Sequence, residues 1–153
     1  MNSALTYYLR FGSIVDQKLH VVSALLAQIL SRPAHHILRR REQLGYIVFC
    51  SLRFLPGASE TCLRITVQSE KKPAYLEERV EAFLREMKTK LEEMTDEEFK
   101  SHMTSLEKKW LEADKNLFEE AFRLVNHITS GHLDFLRRRW SALSHILFSD
   151  HLY

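Results

Sequence analysis

The chain is short of the residues from which most compact functional motifs are made. Four glycines in 153 residues leave little material for a phosphate-cradling loop, a nucleophile elbow or a dinucleotide fingerprint, and none of those patterns occurs. Two cysteines exclude a disulfide-stapled miniprotein and fit a cytosolic or organellar compartment. The longest apolar stretch, Val21 to Leu30, is interrupted by Ser23 and Gln28 and falls short of the roughly 20 residues that a bilayer span needs. The opening MNSALTYYLRFGS lacks both the basic start and the continuous apolar run of a secretory signal.

Charge of one sign is also scarce. Net charge is +2 with neutral histidines, which implies no general affinity for nucleic acid or anionic lipid. Its distribution is uneven: residues 1–69 carry eight Lys/Arg and three Asp/Glu, whereas residues 70–153 carry fourteen and seventeen. A basic front half meets an acidic back half. Arg39-Arg40-Arg41 and Arg137-Arg138-Arg139, the second followed by Trp140, could contact phosphates; a solvated helix face is the plainer reading. Apolar stripes that alternate with as many acids as bases also disfavour a membrane-surface role.

What is abundant is hydrophobic material, 45% of residues against 27% charged. A chain of this size buries roughly 68–70% of its unfolded surface, so one globular domain is the default. Leu5, Tyr7, Leu9 and Phe11 alternate with Thr6, Tyr8 and Arg10, the pattern of a strand with one buried face. After Gly12 and Ser13 the period becomes helical through Leu19, Val22, Leu26, Ile29, Leu30 and Ile37, which reads as one long helix, whole or broken at Ser31-Arg32-Pro33. Tyr46 to Phe54 and Thr61 to Gln68 read as a hairpin turning at Pro56-Gly57.

The remainder reads as helices. Tyr75, Leu76, Val80, Phe83, Leu84, Met87 and Leu91 form one stripe behind Pro73. Thr95-Asp96-Glu97-Glu98 is a capping box for a helix carrying Phe99, Met103, Leu106 and Trp110. A third helix runs from about Lys115 to Ser130, closed by Gly131, and Leu133 to Leu147 offers one more. The order predicts an α+β fold in which an antiparallel sheet of at least three strands is backed by long helices. So small a sheet has sticky edges, which predicts a piece of a larger domain and a homodimer through the sheet edge.

Little of this carries chemistry by itself. The eight histidines form neither HExxH nor HxxEH. His35 and His36 are adjacent and point to different helix faces, and Glu98 with His102 is a common surface spacing, so metal binding by this chain is not expected. A hairpin centred on position 56 would set Cys50 opposite Cys62; a reduced buried pair is the preferred reading over a cross-strand disulfide.

The informative segment is Leu38-Arg39-Arg40-Arg41-Glu42-Gln43-Leu44-Gly45-Tyr46-Ile47-Val48-Phe49. It resembles the C-terminal half of the insulinase or pitrilysin family of inverted-motif zinc metallopeptidases. The resemblance continues through Gln68-Ser69-Glu70-Lys71-Lys72-Pro73, residues 75–84, residues 94–99 and Lys115-Asn116-Leu117, and more loosely through residues 131–135. Order and spacing agree from about Asn2 to Phe135. Beyond about Arg137 the match weakens, which suggests one domain over 1–136 and a divergent C-terminal helix or tail over 137–153.

The resemblance implies a partial metallopeptidase half-domain, inactive alone, because zinc and the general base sit on HxxEH in the missing N-terminal half. This chain would need no cofactor of its own. Arg39 and Tyr46 take the catalytic positions, Tyr46 donating to the oxyanion of a tetrahedral intermediate and Arg39 holding a substrate carbonyl. Without the resemblance, Tyr46 reads as a packed strand aromatic and Arg39 as a solvent-facing helix end. Gln43, Gly45 and Gln68 are the implied substrate-binding positions; the alternative is that Glu42, Gln43 and Gly45 maintain the turn rather than contact substrate and that Gln68 is structural. Peptide substrates and a complementary HxxEH-containing half are the expected partners, in the cytoplasm, mitochondrion or peroxisome. A peptidase-derived interaction protein without catalysis is the alternative.

Overall fold

The computed structural model describes residues 3–13, 16–55, 59–129 and Phe135. β1 (Ser3–Ser13) leads to α1 (Gln17–Ala34), where the Asp16 carboxylate accepts the Leu19 N–H at 3.0 Å and caps the first turn. Pro33 lies inside this helix without breaking it. The irregularity falls after the proline: His35–Arg41 winds as a π-helix, with Glu42 N–H donating to Ile37 O, five residues back, at 2.9 Å. The one long helix read from the sequence thus runs on through Ser31-Arg32-Pro33 unbroken and widens at its end.

β2 (Ile47–Leu55) and β3 (Glu60–Ser69) form the predicted hairpin, and β1 pairs with the far side of β3. The sheet order is β1-β3-β2, antiparallel throughout, with β3 central. Leu55 faces Glu60, Cys50 faces Ile65 and Cys62 faces Arg53. The expected pairing of Cys50 with Cys62 is thus wrong by three residues. An odd offset sends the two side chains to opposite faces of the sheet. Both cysteines are free and buried. Burial pushes the Cys50 thiol up to about 12 and raises that of Cys62, whose Sγ donates to the Arg53 carbonyl at 3.4 Å.

One sheet face carries Leu63, Ile65 and Val67, each at most 1% exposed. Against it pack Ala27, Leu30, Ala34, Ile37 and Leu38 from α1 and the π-helical segment, and Leu76, Val80, Phe83 and Met87 from α2 (Pro73–Glu92). The register places Thr6, Tyr8 and Arg10 of β1, Phe49, Ser51 and Arg53 of β2, and Cys62, Arg64 and Thr66 of β3 on the other face.

α3 (Asp96–Leu111) begins with the predicted capping box, so Glu98 serves the Thr95 N–H rather than a metal. Leu106 joins Leu25 and Ile29 in a second apolar cluster that fixes α3 to α1, and His20 stacks between Phe54 and Trp110 at 5.6 and 5.8 Å. α4 (Leu117–Thr129) is anchored at its start by the bidentate Arg123–Asp114 pair. Gly131, the expected helix over Leu133 to Leu147 and the tail 137–153 lie outside the described residues, as does the Pro56-Gly57 turn. An α+β fold with an antiparallel sheet on long helices is what the sequence predicts and what the structure contains.

Candidate functional site

Arg39 projects from the π-helical segment, and Tyr46 stands one residue before β2. Seven positions apart in sequence, they meet in space: the Arg39 Cζ lies 4.7 Å from the centroid of the Tyr46 ring, within cation–π range. Tyr46 is 81% exposed, so the alternative of a strand aromatic packed into the sheet is set aside. Arg39 also donates from Nη1 toward His35 Nε2 at 2.8 Å.

The intervening turn is held from three sides. Leu44 is 3% exposed and its N–H donates to Leu38 O at 3.0 Å. Glu42 accepts two hydrogen bonds from Arg79 of α2, both at 2.7 Å, and that pairing holds its carboxyl below the usual carboxylate range. Arg41 reaches Glu86 on the same helix at 3.2 and 2.6 Å. Together with Lys90, Arg41 lowers the Glu86 carboxyl to about 2.

Gly45 serves close approach rather than an unusual dihedral. A Cβ there would stand 1.7 Å from the Gln68 carbonyl oxygen, so any larger residue would push the turn off the end of β3. The positive φ of the turn falls instead on Gln43, at 51°, a value tolerable but uncommon for a non-glycine residue.

Arg39 and Tyr46 open onto a cavity of about 690 Å³ between the end of α1, the π-helical segment and β2. Arg32, His35, His36, Arg39 and Arg40 form one wall, and Tyr46, Phe49 and Arg64 are on the other. No carboxylate belongs to this lining. Gln43, Gly45 and Gln68 do not line it: Gly45 and Gln68 meet through backbone, and Gln43 is exposed. Among the described residues no group of three or more His, Cys, Asp or Glu side chains could hold a metal ion.

Two contributors escape sequence reasoning. Arg79 lies 37 positions from Glu42, and no local pattern couples them. His35 had a weaker signal in its one-turn spacing from Arg39, obscured by the neighbouring His36. Chemically, the site offers an exposed phenolic donor beside a fixed guanidinium, both able to stabilise an oxygen that gains negative charge, and no pair of groups that would activate water.

Comparison with known proteins places this geometry in a class. Residues 25–125 match the family described as PQQ synthase PqqF-like, C-terminal lobe domain 4. The chain is 43% identical to human insulin-degrading enzyme over 113 residues, which is 74% of this chain and 11% of that protein. It is 38% identical to the insulin-degrading enzyme of Drosophila melanogaster over 127 residues, covering 83% of this chain and 12% of the relative. The crystal structure of pitrilysin superimposes with a TM-score of 0.75 at 28% identity, over 96% of this chain and 16% of pitrilysin. The fold is that of a lobe of this peptidase family. The chain belongs to the insulinase, or pitrilysin, family of metallopeptidases and corresponds to part of the C-terminal half.

Proposed function

We propose that this chain is the substrate-facing part of an insulinase-type zinc metalloendopeptidase acting on peptides. The supporting observation is the Arg39 guanidinium over the Tyr46 ring, both open to one cationic groove. In this reading Tyr46 donates its hydroxyl to the oxyanion, Arg39 holds a substrate carbonyl, and the Gly45–Gln68 contact keeps them in register. The residues described here do not suit zinc, and the reading assigns zinc and the general base to an HxxEH-containing half. The same reading places the protein in the cytoplasm; no helix among the described residues is long and apolar enough to cross a membrane.

The test is cleavage of a quenched fluorescent peptide by the purified chain, with and without zinc, and again after adding a separately expressed HxxEH-containing half. Activity in the mixture alone is expected. Tyr46→Phe should then cost about 2.7–4 kcal/mol of transition-state stabilisation, the scale of one oxyanion donor. Zinc-dependent hydrolysis by the chain without the other half would overturn the reading.

A second reading, a non-catalytic interaction protein on the same fold, is favoured by β1 and β2 standing at the two sheet edges among the described residues. It includes a homodimer through a sheet edge. Here Arg39→Ala and Tyr46→Phe leave partner binding unchanged while strand-edge substitutions abolish it, and light scattering at high concentration reports a dimer rather than a monomer.

A further inference from the structure

We infer that His35 is a positioning residue: its neutral imidazole holds the Arg39 guanidinium over Tyr46, and protonation of His35 releases it. The consequence for substrate handling rests on the reading above; the geometry itself does not.

A guanidinium has five N–H donors and no acceptor. At 2.8 Å from Arg39 Nη1, His35 Nε2 must therefore be the acceptor, which defines the neutral tautomer with its proton on Nδ1. An arginine left free samples many rotamers. Tethering one end of the fork to His35 selects the orientation in which Cζ sits 4.7 Å from the Tyr46 ring centroid. His35, Arg39 and Tyr46 line the same cavity, so a change at the imidazole is transmitted where a substrate carbonyl would lie.

The surroundings set the direction of the switch. Facing the cavity with His35 are Arg32 of α1, Arg39 and Arg40 with His36 of the π-helical segment, Tyr46 and Cys50 of the β2 side, and Arg64 of β3. None is a carboxylate, and burial keeps the Cys50 thiol protonated. The nearby acids Glu42 and Glu86 are occupied by Arg79, Arg41 and Lys90. An imidazolium at position 35 thus has no lone pair for Arg39 and no anion in the lining to compensate. The hydrogen bond becomes a repulsion, and Arg39 leaves the tyrosine ring.

Two readouts on the ¹⁵N-labelled full chain test this. Long-range ¹H–¹⁵N correlations of the imidazole at about pH 8 should show His35 with Nε2 unprotonated, and Arg39→Gln should return the ring to mixed tautomers. A ring protonated on Nε2, or one indifferent to Arg39→Gln, overturns the inference. Lowering the pH from about 8 to about 5 should remove the Tyr46 ring-current shift from Arg39 in the native chain. His35→Gln keeps an acceptor oxygen that does not titrate, so in that variant the shift should persist; parallel loss in both overturns the inference.

With an extended fluorescent peptide as probe, binding to the native chain should weaken about tenfold over the same range, the scale of one hydrogen bond to a charged group, and stay flat in His35→Gln. A peptide that binds neither form at any pH counts against the substrate-facing reading, while the tautomer result decides the role of His35 independently.

Discussion

α2 and α4 both carry an apolar stripe at helical spacing, and the structure treats them oppositely. Leu76, Val80, Phe83 and Met87 of α2 are each no more than 3% exposed. α4 buries no residue, and Phe118, Phe122, Val125 and Ile128 are all more than half exposed. Among the described residues, the difference lies in what each stripe meets. α2 follows β3 after three residues and folds back across the sheet face that β3 centres. α4 follows α3, when that face is already covered by α1 and α2. Periodicity reports that a helix has an apolar side; connectivity decides whether anything meets it.

The comparison can be broken most forcefully at Phe83. Phe83→Ala should destabilise the chain by about 3–5 kcal/mol, through lost burial and the cavity left behind, as read by the midpoint of urea unfolding. Phe122→Ser on α4 should stand at the opposite end of the scale, within about 0.5 kcal/mol. Equal losses would mean that α4 is covered in solution.

Between these extremes lie the contacts that tie the site to α2. Gly45→Ala drives a Cβ into the Gln68 carbonyl and should cost about 1–3 kcal/mol, with a shift of the Tyr46 environment visible in tyrosine fluorescence. Arg79→Ala removes both hydrogen bonds to Glu42. Arg79 is about a third exposed, so the loss should be about 1–2 kcal/mol, and Arg79→Lys should recover part of it without the bidentate geometry.

The smallest of the effects between those extremes is electrostatic. Glu86 and Glu42 have carboxyls lowered by their arginine partners, so the contribution of each is complete above the ordinary value of 4.5 and is lost at lower pH, for Glu86 as pH falls toward about 2. For Glu86, with 31% of its side chain exposed, about 1 kcal/mol is the appropriate scale. Glu86→Gln should flatten the acid limb of a pH–stability curve by that amount and leave it unchanged at neutral pH in slope.

Much of the fold is legible from spacing. The strand alternation at Leu5 to Phe11, the capping box at Thr95 and the stripe of α2 each depend on residues within a turn or two of one another. The hairpin was legible as a hairpin, but its register was not. A centre at position 56 instead of between 57 and 58 moves Cys62 from the face of Cys50 to the opposite one, because side chains alternate at every residue. At Pro33 the sequence left the long helix whole or broken, and packing at Ala34, Ile37 and Leu38, all at most 2% exposed, goes with a helix continuous past it.

The site divides in the same way. Arg39 and Tyr46 could be singled out through resemblance, and their convergence through the shortness of the turn between them. The sequence by itself determined the helices, the strands, the caps and the basic segment beside the turn, because those follow from backbone preferences and from neighbours a few residues away. Tertiary structure alone decided which apolar stripe is covered, which face each cysteine occupies, and that Arg79 holds Glu42 across 37 positions. It also set His35 against Arg39 with the ring of Tyr46 beneath the guanidinium. Such contacts depend on register and on the route of the chain, which no local pattern encodes.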